Sequence, residues 1–310
     1  MSTFNYDCDG QIDIFDLTMP QFKIDNKIRL IELFAGYGSQ AMALDEMGVD
    51  YEHYKVVEFD KYAVQSYNAV HNTNFEPSDI RSVHGKDLEI CDTDKFTYML
   101  TYSFPCTDLS VTGKMQGMKK GSGTRSGLLW EVERIMQELK AGQGELPQVL
   151  FMENVPQVIS SANIKDFHAW QDFLTSLGYT SHVQTLNAKD YGVAQNRERC
   201  FMFSFLGEFN YKFPEPIKLT KTMKDYLEDE VDEKYYINSE KANKLIKKLI
   251  DNGTLENNNL TDRQTDRYGI DLTINEPRVI ERANCIKARY DDGISNFQAD
   301  GTGVIERNVK

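Results

Sequence analysis

The stretch "KIRLIELFAGYGSQAMALDEMG", Lys27 to Gly48, decides the fold class of this chain. Its first part is an apolar strand that ends at Gly36, and "SQAMALDEMG" then predicts a helix with Ser39 as its N-cap and Gly48 as its end. Strand and helix patterns alternate in this way to about residue 205. Repeated units of this kind predict an α/β fold, with a doubly wound, mostly parallel sheet and helices on both faces.

Three more strand–helix pairs follow the first one. They are, in order, "YKVVEFD" and "KYAVQSYNAVHN", "FTYMLTYSFP" and "LLWEVERIMQELK", and "QVLFMENV" and "FHAWQDFLTSLG". Two last strands, "TSHVQTLNA" and "RCFMFSFLG", are joined by a short loop. A short connection favours antiparallel strands, so we predict an antiparallel end to the sheet.

The sequence changes in character after "FPEPIKL", Phe213 to Leu219, where two prolines mark a domain boundary. We predict an N-terminal extension over residues 1–27, a first domain over 28–215 and a loop-rich, partial second domain over 216–310. The N-terminus lacks the basic start and apolar core of a signal peptide. No apolar run approaches the ~20 residues of a membrane span, so we expect a cytoplasmic protein.

The cysteines are spread along the chain without a CxxC pair. They are Cys8, Cys91, Cys106, Cys200 and Cys285. This spacing argues against a zinc site and against a disulfide framework. We therefore expect no metal, and free thiols in a reducing compartment.

The formal net charge of −13 on its own disfavours a nucleic-acid partner. Its distribution changes that conclusion, because "VTGKMQGMKKGSGTR", Val111 to Arg125, carries four cations and no acidic residue. A glycine-rich basic loop can bind a polyanion even on an acidic protein.

Several groups suited to ligand binding follow predicted strands. They are the "FAGYGS" turn, Glu58, Asp79, Pro105-Cys106 and Glu153-Asn154. Ligands of open α/β sheets bind at the carboxyl ends of the strands. Glu58 lies 22 residues after Gly36, a spacing that suits ribose hydroxyls beside a glycine turn. Such turns also merely close strand–helix corners, so the turn alone does not identify a nucleoside site.

Cys106 and Glu153 indicate a catalytic site only when they are considered together. A lone cysteine is more often a small buried hydrophobe than a nucleophile, and Glu153 alone is typical of a surface acid. At neighbouring strand ends beside a basic loop, a thiol and a carboxyl form a nucleophile and a proton donor. In "QNRER", Gln195 to Arg199, two arginines alternate, so on one strand they share a face that suits an anion or a base edge. Surface ion pairs are the alternative.

Together these segments resemble the ordered motif series of the cytosine-C5 DNA methyltransferases. The series is "IELFAGYGS", "EFDKYA", "DI" at Asp79, "FPCTDLS", "SGLLWEVERI", "MENV" and "DYGVAQNRER", and it covers residues 28–205. The resemblance implies the fold of S-adenosylmethionine-dependent methyltransferases, with S-adenosyl-L-methionine as cofactor. It also implies double-stranded DNA as partner and a cytosine that is flipped out of the duplex.

The resemblance gives each matching residue a role. Cys106 is expected to be the nucleophile that attacks C6, Glu153 to contact the target base, and Arg197 and Arg199 to brace base and carboxyl. The expected cofactor residues are Phe34, Ala35, Gly36, Gly38, Glu58, Phe59, Asp79, Ile80, Pro105 and Leu128. The expected nucleic-acid contacts are Ser110, Lys114, Lys119, Lys120, Arg125 and Gln195.

The chain departs from the family pattern at Thr107, where glutamine is more common, and at Glu32, where aspartate is common. The family's Arg-rich and Gly-Asn-Ser-like C-terminal segments are not found. We therefore expect a longer parent chain or a second polypeptide that supplies them. A bacterial or phage restriction–modification enzyme is expected. A tRNA cytosine-C5 methyltransferase and a catalytically silent regulatory subunit stay open as alternatives.

Overall fold

A computed structural model describes residues 19–106, 109, 117–121, 123–228, 232, 240–253, 267–271, 278–280, 282–284 and 302–306. Contacts divide the chain into two compact units. The first comprises Met1–Thr185 and Arg199–Phe213, and the second comprises Leu186–Glu198 and Pro214–Lys310. The domain boundaries predicted from the sequence stay a prediction; this contact division differs from them in assigning residues 186–198 to the second unit.

The first unit contains a six-stranded sheet in the order β2-β1-β3-β4-β7-β5. Its strands are β1 (Ile28–Leu33), β2 (Tyr51–Val57), β3 (Thr97–Tyr102), β4 (Val149–Asn154), β5 (Tyr179–Asn187) and β7 (Glu198–Leu206). Strand β1 is parallel to β2 and β3, β3 is parallel to β4, and β7 is antiparallel to β4. The mostly parallel sheet with an antiparallel end is thereby confirmed.

Helices cover both faces of this sheet. They are α1 (Ser39–Glu46), α2 (Lys61–His71), α3 (Leu129–Glu138) and α4 (Ile164–Ser176). Alternate residues of β1 point to opposite faces, as the period of a strand requires. Leu30 packs with Ala41 and Leu44 of α1, whereas Ile31 belongs to the cluster formed by α3 and α4. Burial of β1 on both faces explains why four of its six residues are Ile or Leu.

Helices α3 and α4, which pack against the sheet face that contains Ile31, bury the apolar residues that recur at helical spacing. In α3, Val132, Ile135 and Met136 are buried, and in α4 Phe167 and Trp170 are buried. The Trp170 indole N–H also finds a partner, because it lies 3.1 Å from the Tyr102 hydroxyl of β3. Burying these side chains fixes α3 and α4 against β3 and β4, whose ends carry the predicted catalytic residues.

Helix α1 begins differently from the prediction. Ser39 is its first residue and not its N-cap, because Gly38 occupies the cap position in a left-handed conformation and no side chain caps the helix. Instead, the side chain of Glu32 on β1 is fully buried, and the Ala41 backbone N–H of the first turn lies near enough to lower its pKa. A carboxyl below a helix N-terminus suits the positive end of the helix dipole. The predicted end at Gly48 is confirmed by the C-cap at Met47.

The buried Glu32 carboxyl has little hydrogen bonding. Tyr67 of α2 binds its Oε2 through the hydroxyl, and Oε1 has no hydrogen-bond partner of ordinary geometry among the described residues. Burial disfavours the charged form and raises the pKa of Glu32 from 4.5 to about 7. The carboxyl therefore keeps its proton across the acidic range.

In the second unit, β6 (Gln195–Asn196) pairs with β10 (Ala283–Asn284). Strands β11 (Thr302–Glu306), β8 (Arg267–Asp271) and β9 (Arg278–Ile280) form an antiparallel sheet, and α5 is Glu240–Asp251. The sequence predicted mainly loops after residue 215, and the structure adds this helix and sheet.

Replacing the buried acid should change how stability depends on pH. A carboxyl whose pKa is raised in the folded state contributes most below about pH 4.5, and its contribution is lost as the pH rises to about 7. Glu32→Gln keeps the shape without the ionisation. We expect the variant to gain about 3–3.5 kcal/mol over wild type at pH 8, at roughly 1.4 kcal/mol per pKa unit, and much less at pH 5.

Denaturant unfolding of both proteins at pH 5, 6.5 and 8 measures this difference. Parallel stability curves across that range would show that Glu32 ionises as readily in the folded chain as in the unfolded one.

Candidate active site

The turn between β1 and α1 has an unusual backbone. Phe34, Gly36 and Gly38 have φ values of 59°, 58° and 83°. The left-handed region costs a non-glycine residue about 1–3 kcal/mol, so Phe34 must be held there by its surroundings. Its N–H and that of Ala35 both donate to the Val57 carbonyl, at 2.8 and 3.3 Å. We call Ala35–Gly38 the glycine turn.

Glu58, directly after β2, faces the glycine turn. Its Oε2 accepts a hydrogen bond of 3.0 Å from the Gly36 N–H, and its Oε1 accepts one of 2.8 Å from the Asp60 N–H. The next residue, Phe59, is 72% exposed. The structure therefore brings the predicted turn and the predicted ribose-binding acid together, with an exposed aromatic ring next to them.

Asp79 and Ile80 approach the same strand end. The Ser78 N–H donates to the Glu58 carbonyl at 2.8 Å, which fixes the segment beside β2. Ile80 is buried, and Asp79 caps a short 3₁₀-helix through the Arg81 N–H. The Arg81 guanidinium also binds the Asp79 carboxylate and lowers its pKa, so this acid is ionised at neutral pH.

Cys106 lies four residues beyond the end of β3, on a segment that neighbouring elements hold in place. The Phe104 carbonyl accepts a hydrogen bond of 3.0 Å from the Asn154 amide at the end of β4. The Pro105 carbonyl accepts one of 2.8 Å from the Ser126 hydroxyl. Phe104 is buried, whereas Cys106 is partly exposed. The backbone is therefore fixed while the thiol can be reached.

These supports were not predicted, although Asn154 lies in the quoted "MENV" segment. Ser126 opens the 3₁₀-helix Ser126–Leu128, so its bond to Pro105 also fixes Leu128, which packs on the edge of the main core. The pairing could not be read from the sequence, because 21 residues separate the hydroxyl from the carbonyl.

Glu153 forms an ion pair with Arg199. The guanidinium Nε lies 2.8 Å from Oε1, and both side chains are largely buried. On β4 and β7, Glu153 pairs with Phe201, so Arg199 and Glu153 point to the same sheet face. The arginine therefore orients the carboxyl beside the strand end that carries Asn154.

Arg197 does not share a strand with Arg199, so that prediction is wrong. Arg197 lies at the break between β6 and β7, and its N–H donates to the Asn187 side chain at 3.1 Å. It belongs to the second unit with Gln195, whereas Arg199 belongs to the first. The backbone leaves the strand path because a side chain competes for its hydrogen bonds.

The basic loop is described in part. Ser110 and Lys114 lie outside the described residues, while Lys119 and Arg125 are exposed. Lys120 binds Glu133 of α3 at 2.6 Å. Glu133 is only 8% exposed, and a buried carboxylate needs such a partner. Any contact of Lys120 with a ligand must therefore compete with this ion pair.

Two kinds of feature are absent from the described part of the chain. No group of three His, Cys, Asp or Glu side chains there is arranged to hold a metal ion. No helix there is long and apolar enough to cross a membrane.

The cysteines should differ in reactivity. Cys91 is exposed and Cys106 partly exposed, whereas Cys200 is buried and its pKa is raised to about 12, chiefly by burial. Thiolates react and buried thiols do not. We expect iodoacetamide at pH 8 to modify Cys91 and Cys106 in the native protein and Cys200 only after unfolding. Peptide mapping by mass spectrometry checks this, and labelling of native Cys200 at the rate of Cys91 would contradict it.

Comparisons with known proteins identify the family of this chain. The profile of the family described as C-5 cytosine-specific DNA methylase matches residues 28–298. The chain is 34% identical over 272 residues to the orphan methyltransferase M.SssI of Spiroplasma monobiae, which covers 70% of each chain. It is 34% identical over 266 residues to the type II methyltransferase M2.ScrFI of Lactococcus lactis subsp. cremoris, covering 68% of this chain and 70% of that protein.

A solved structure shares the fold. The methyltransferase EhMeth of Entamoeba histolytica superposes with a TM-score of 0.62, covering 87% of this chain and 74% of that one at 18% identity. The family profile spans most of the 310 residues, and the six-stranded sheet is mostly parallel with an antiparallel end. The chain therefore belongs to the C-5 cytosine-specific DNA methylase family and is a DNA cytosine-C5 methyltransferase.

Proposed function

We propose that Cys106 is the nucleophile and Glu153 the proton donor of this methyl transfer. The observation that carries the proposal is the hydrogen bond between the Asn154 amide and the Phe104 carbonyl. It ties the segment that bears the thiol to the strand that bears the carboxyl. A thiol and a carboxyl at adjacent strand ends are the pair that covalent activation of a pyrimidine needs.

We propose further that S-adenosyl-L-methionine binds at the glycine turn. A Cβ at Gly36 would meet no atom within 4 Å, so a ligand can reach the backbone there. Glu58 is suited to the ribose hydroxyls and the exposed Phe59 ring to stacking on adenine. When bound, the cofactor supplies an electrophilic methyl group. The other proposed lining residues are Phe34, Ala35, Gly38, Asp79, Ile80, Pro105 and Leu128.

The protein groups act on the base. C5 of cytosine is a weak nucleophile until the Cys106 thiolate adds to C6. This forms an S–C6 bond and moves the electron pair of the C5–C6 double bond toward N3. Glu153 gives a proton to N3 and relieves the charge, which makes C5 nucleophilic. After methylation, loss of the C5 proton restores the double bond and expels the thiolate.

The proposed partner is duplex DNA with the target cytosine flipped out, at a cost of a few kcal/mol. Lysine and arginine side chains at the mouth of the site would offset this cost through phosphate contacts. We assign phosphate contacts to Lys114, Lys119, Lys120 and Arg125, uncharged polar contacts with the DNA to Ser110 and Gln195, and a contact with the target base to Arg197. Lys120 would exchange its ion pair with Glu133 for a phosphate contact.

We propose that a second polypeptide, or a further length of chain, covers part of the first unit. Helices α1 and α2 expose the large apolar side chains Met42, Tyr62 and Val70, and Met47 at the end of α1 is exposed as well. Exposed apolar surface of this kind is typical of an interaction site. The relatives M.SssI and M2.ScrFI are bacterial proteins, which supports a cytoplasmic enzyme and, by the type II name of the second, a restriction partner.

Methyl transfer from labelled S-adenosyl-L-methionine tests the proposal. Cys106→Ser should abolish transfer to duplex DNA and leave cofactor binding near wild type, because the hydroxyl is a far weaker nucleophile. Cys91→Ser is the matched control, since it changes an exposed thiol outside the site, and it should remain active.

Transfer by Cys106→Ser would refute the nucleophile assignment, and methylation of tRNA but not of duplex DNA would refute the proposed substrate. Cell extract of the source organism should raise the rate by orders of magnitude. Full turnover by the purified 310-residue chain alone would refute the proposal that the enzyme needs a second polypeptide.

A further inference from the structure

Two side chains of α2 lie directly against the glycine turn. A Cβ at Gly38 would stand 2.3 Å from His71 Nε2 and 2.6 Å from Tyr67 Cε2. Only a glycine hydrogen fits in such a space, so the backbone of the turn rests on the two rings. The rings also contact each other, with centroids 4.5 Å apart. We call Tyr67 and His71 the ring pair.

His71 binds the turn as well as supporting it. Its Nε2 lies 3.1 Å from the Tyr37 carbonyl, and its side chain is only 1% exposed. A carbonyl only accepts hydrogen bonds, so Nε2 carries a proton and donates it. Nδ1 lies 3.9 Å from the Asp45 carboxylate of α1. One imidazole therefore connects α2 with the turn and with the helix that follows the turn.

Tyr67 belongs to a buried chain of hydrogen bonds. Its hydroxyl binds Glu32 Oε2 and lies 2.7 Å from His53 Nδ1. His53 Nε2 lies 3.3 Å from the Tyr51 hydroxyl, which is 2.8 Å from Asp45 Oδ1. These groups, with His71, are the titratable side chains that face Glu32 and the ring pair from β2, α1 and α2.

The donor and the acceptor of each hydrogen bond in this series follow from the two carboxyl groups at its ends, Asp45 and Glu32. The Asp45 carboxylate accepts from Tyr51, so Tyr51 accepts from His53 Nε2–H. A neutral His53 must then accept at Nδ1 from the Tyr67 hydroxyl, and Tyr67 accepts from Glu32 when that acid is protonated, whereas it donates to Glu32 Oε2 when the acid is ionised. Burial raises the Glu32 pKa and lowers the His53 pKa, which agrees with a protonated acid and a neutral imidazole. Every donor has a partner when Glu32 keeps its proton.

We propose that Tyr67 and His71 are positioning residues, which hold the glycine turn in the conformation that binds the adenosyl cofactor. This inference rests on the proposed cofactor site. Loss of the Glu32 proton turns the Tyr67 hydroxyl toward the carboxylate and leaves His53 Nδ1 without a donor. The ring pair is then held less firmly, so cofactor affinity falls as the pH rises.

Calorimetric titration with S-adenosylhomocysteine tests the role of His71. His71→Ala should weaken binding about tenfold, the equivalent of one lost hydrogen bond and its contact. His71→Gln should restore most of it, because its amide N–H can still donate to the Tyr37 carbonyl. His182→Ala is the matched control: its Nε2 lies 2.9 Å from the Phe209 carbonyl, but on β5 at the opposite edge of the sheet.

The pH dependence gives a reading that a purely structural role would not produce. Wild-type affinity should fall between pH 6.5 and 8.5, whereas that of Glu32→Gln should stay nearly constant. S-adenosylhomocysteine is used because its thioether is uncharged, which removes the attraction between a sulfonium and an ionised Glu32, and the α-ammonium group that remains is the same in both titrations. Equal pH slopes in the two proteins would refute the link to Glu32.

Melting temperatures of the cofactor-free variants separate stability from positioning. His71→Ala that melts lower but binds like wild type, or that binds no worse than His182→Ala, overturns the inference. Glu58→Ala is the reference for the cofactor site itself. If it loses affinity and His71→Ala does not, only the positioning role is refuted. If Glu58→Ala binds like wild type, the proposed cofactor site is wrong, and this inference with it.

Discussion

The arrangement of the proposed catalytic residues depends on the parallel pairing of β3 with β4. The hydrogen bond from the Asn154 amide to the Phe104 carbonyl continues this pairing past the end of β3. Tyr102, the last residue of β3, pairs with Met152, so β4 continues for two residues beyond β3 and ends at Asn154. Asn154 is buried, and its amide satisfies a backbone carbonyl that would otherwise be buried without a partner. An unsatisfied buried carbonyl costs about 1–3 kcal/mol, so this bond fixes the path of the chain to Cys106. A slip by one residue would turn Glu153 to the other sheet face.

Two energetically unfavourable features lie near the carboxyl end of β1. Phe34 occupies a left-handed conformation, and Glu32 is a fully buried acid beneath a helix without a side-chain cap. Each is tolerated because a neighbouring residue holds it in place. Phe34 donates its N–H to the Val57 carbonyl, and the Glu32 carboxyl is hydrogen-bonded to the Tyr67 hydroxyl. The apolar core around Trp170 and Tyr102 supplies the stability that such features cost. Backbone strain and a buried ionisable group thus both lie beside the turn where the cofactor is proposed to bind.

Local patterns predicted the elements, and long-range contacts decided the details. Apolar periodicity was enough for β1 and α4, since each buries a continuous face. It failed at Arg197, where alternation favoured a strand but the distant Asn187 side chain takes the backbone N–H. Ser39 had the residue type of an N-cap, yet Gly38 holds that position. The ring pair could not be predicted, because 35 residues separate Tyr67 from Glu32 and 34 separate His71 from Tyr37.

The central claim is that Cys106 forms a covalent bond to the target base. Duplex DNA in which 5-fluorocytosine replaces cytosine traps that bond, because fluorine at C5 cannot leave as a proton does. The measurement is mass spectrometry of the DNA-linked peptide after the protein reacts in the presence of S-adenosyl-L-methionine and source extract. The account predicts one linked peptide, attached through Cys106. Attachment through Cys91 or another residue, or methylation of ordinary DNA with no trapped adduct, would contradict it.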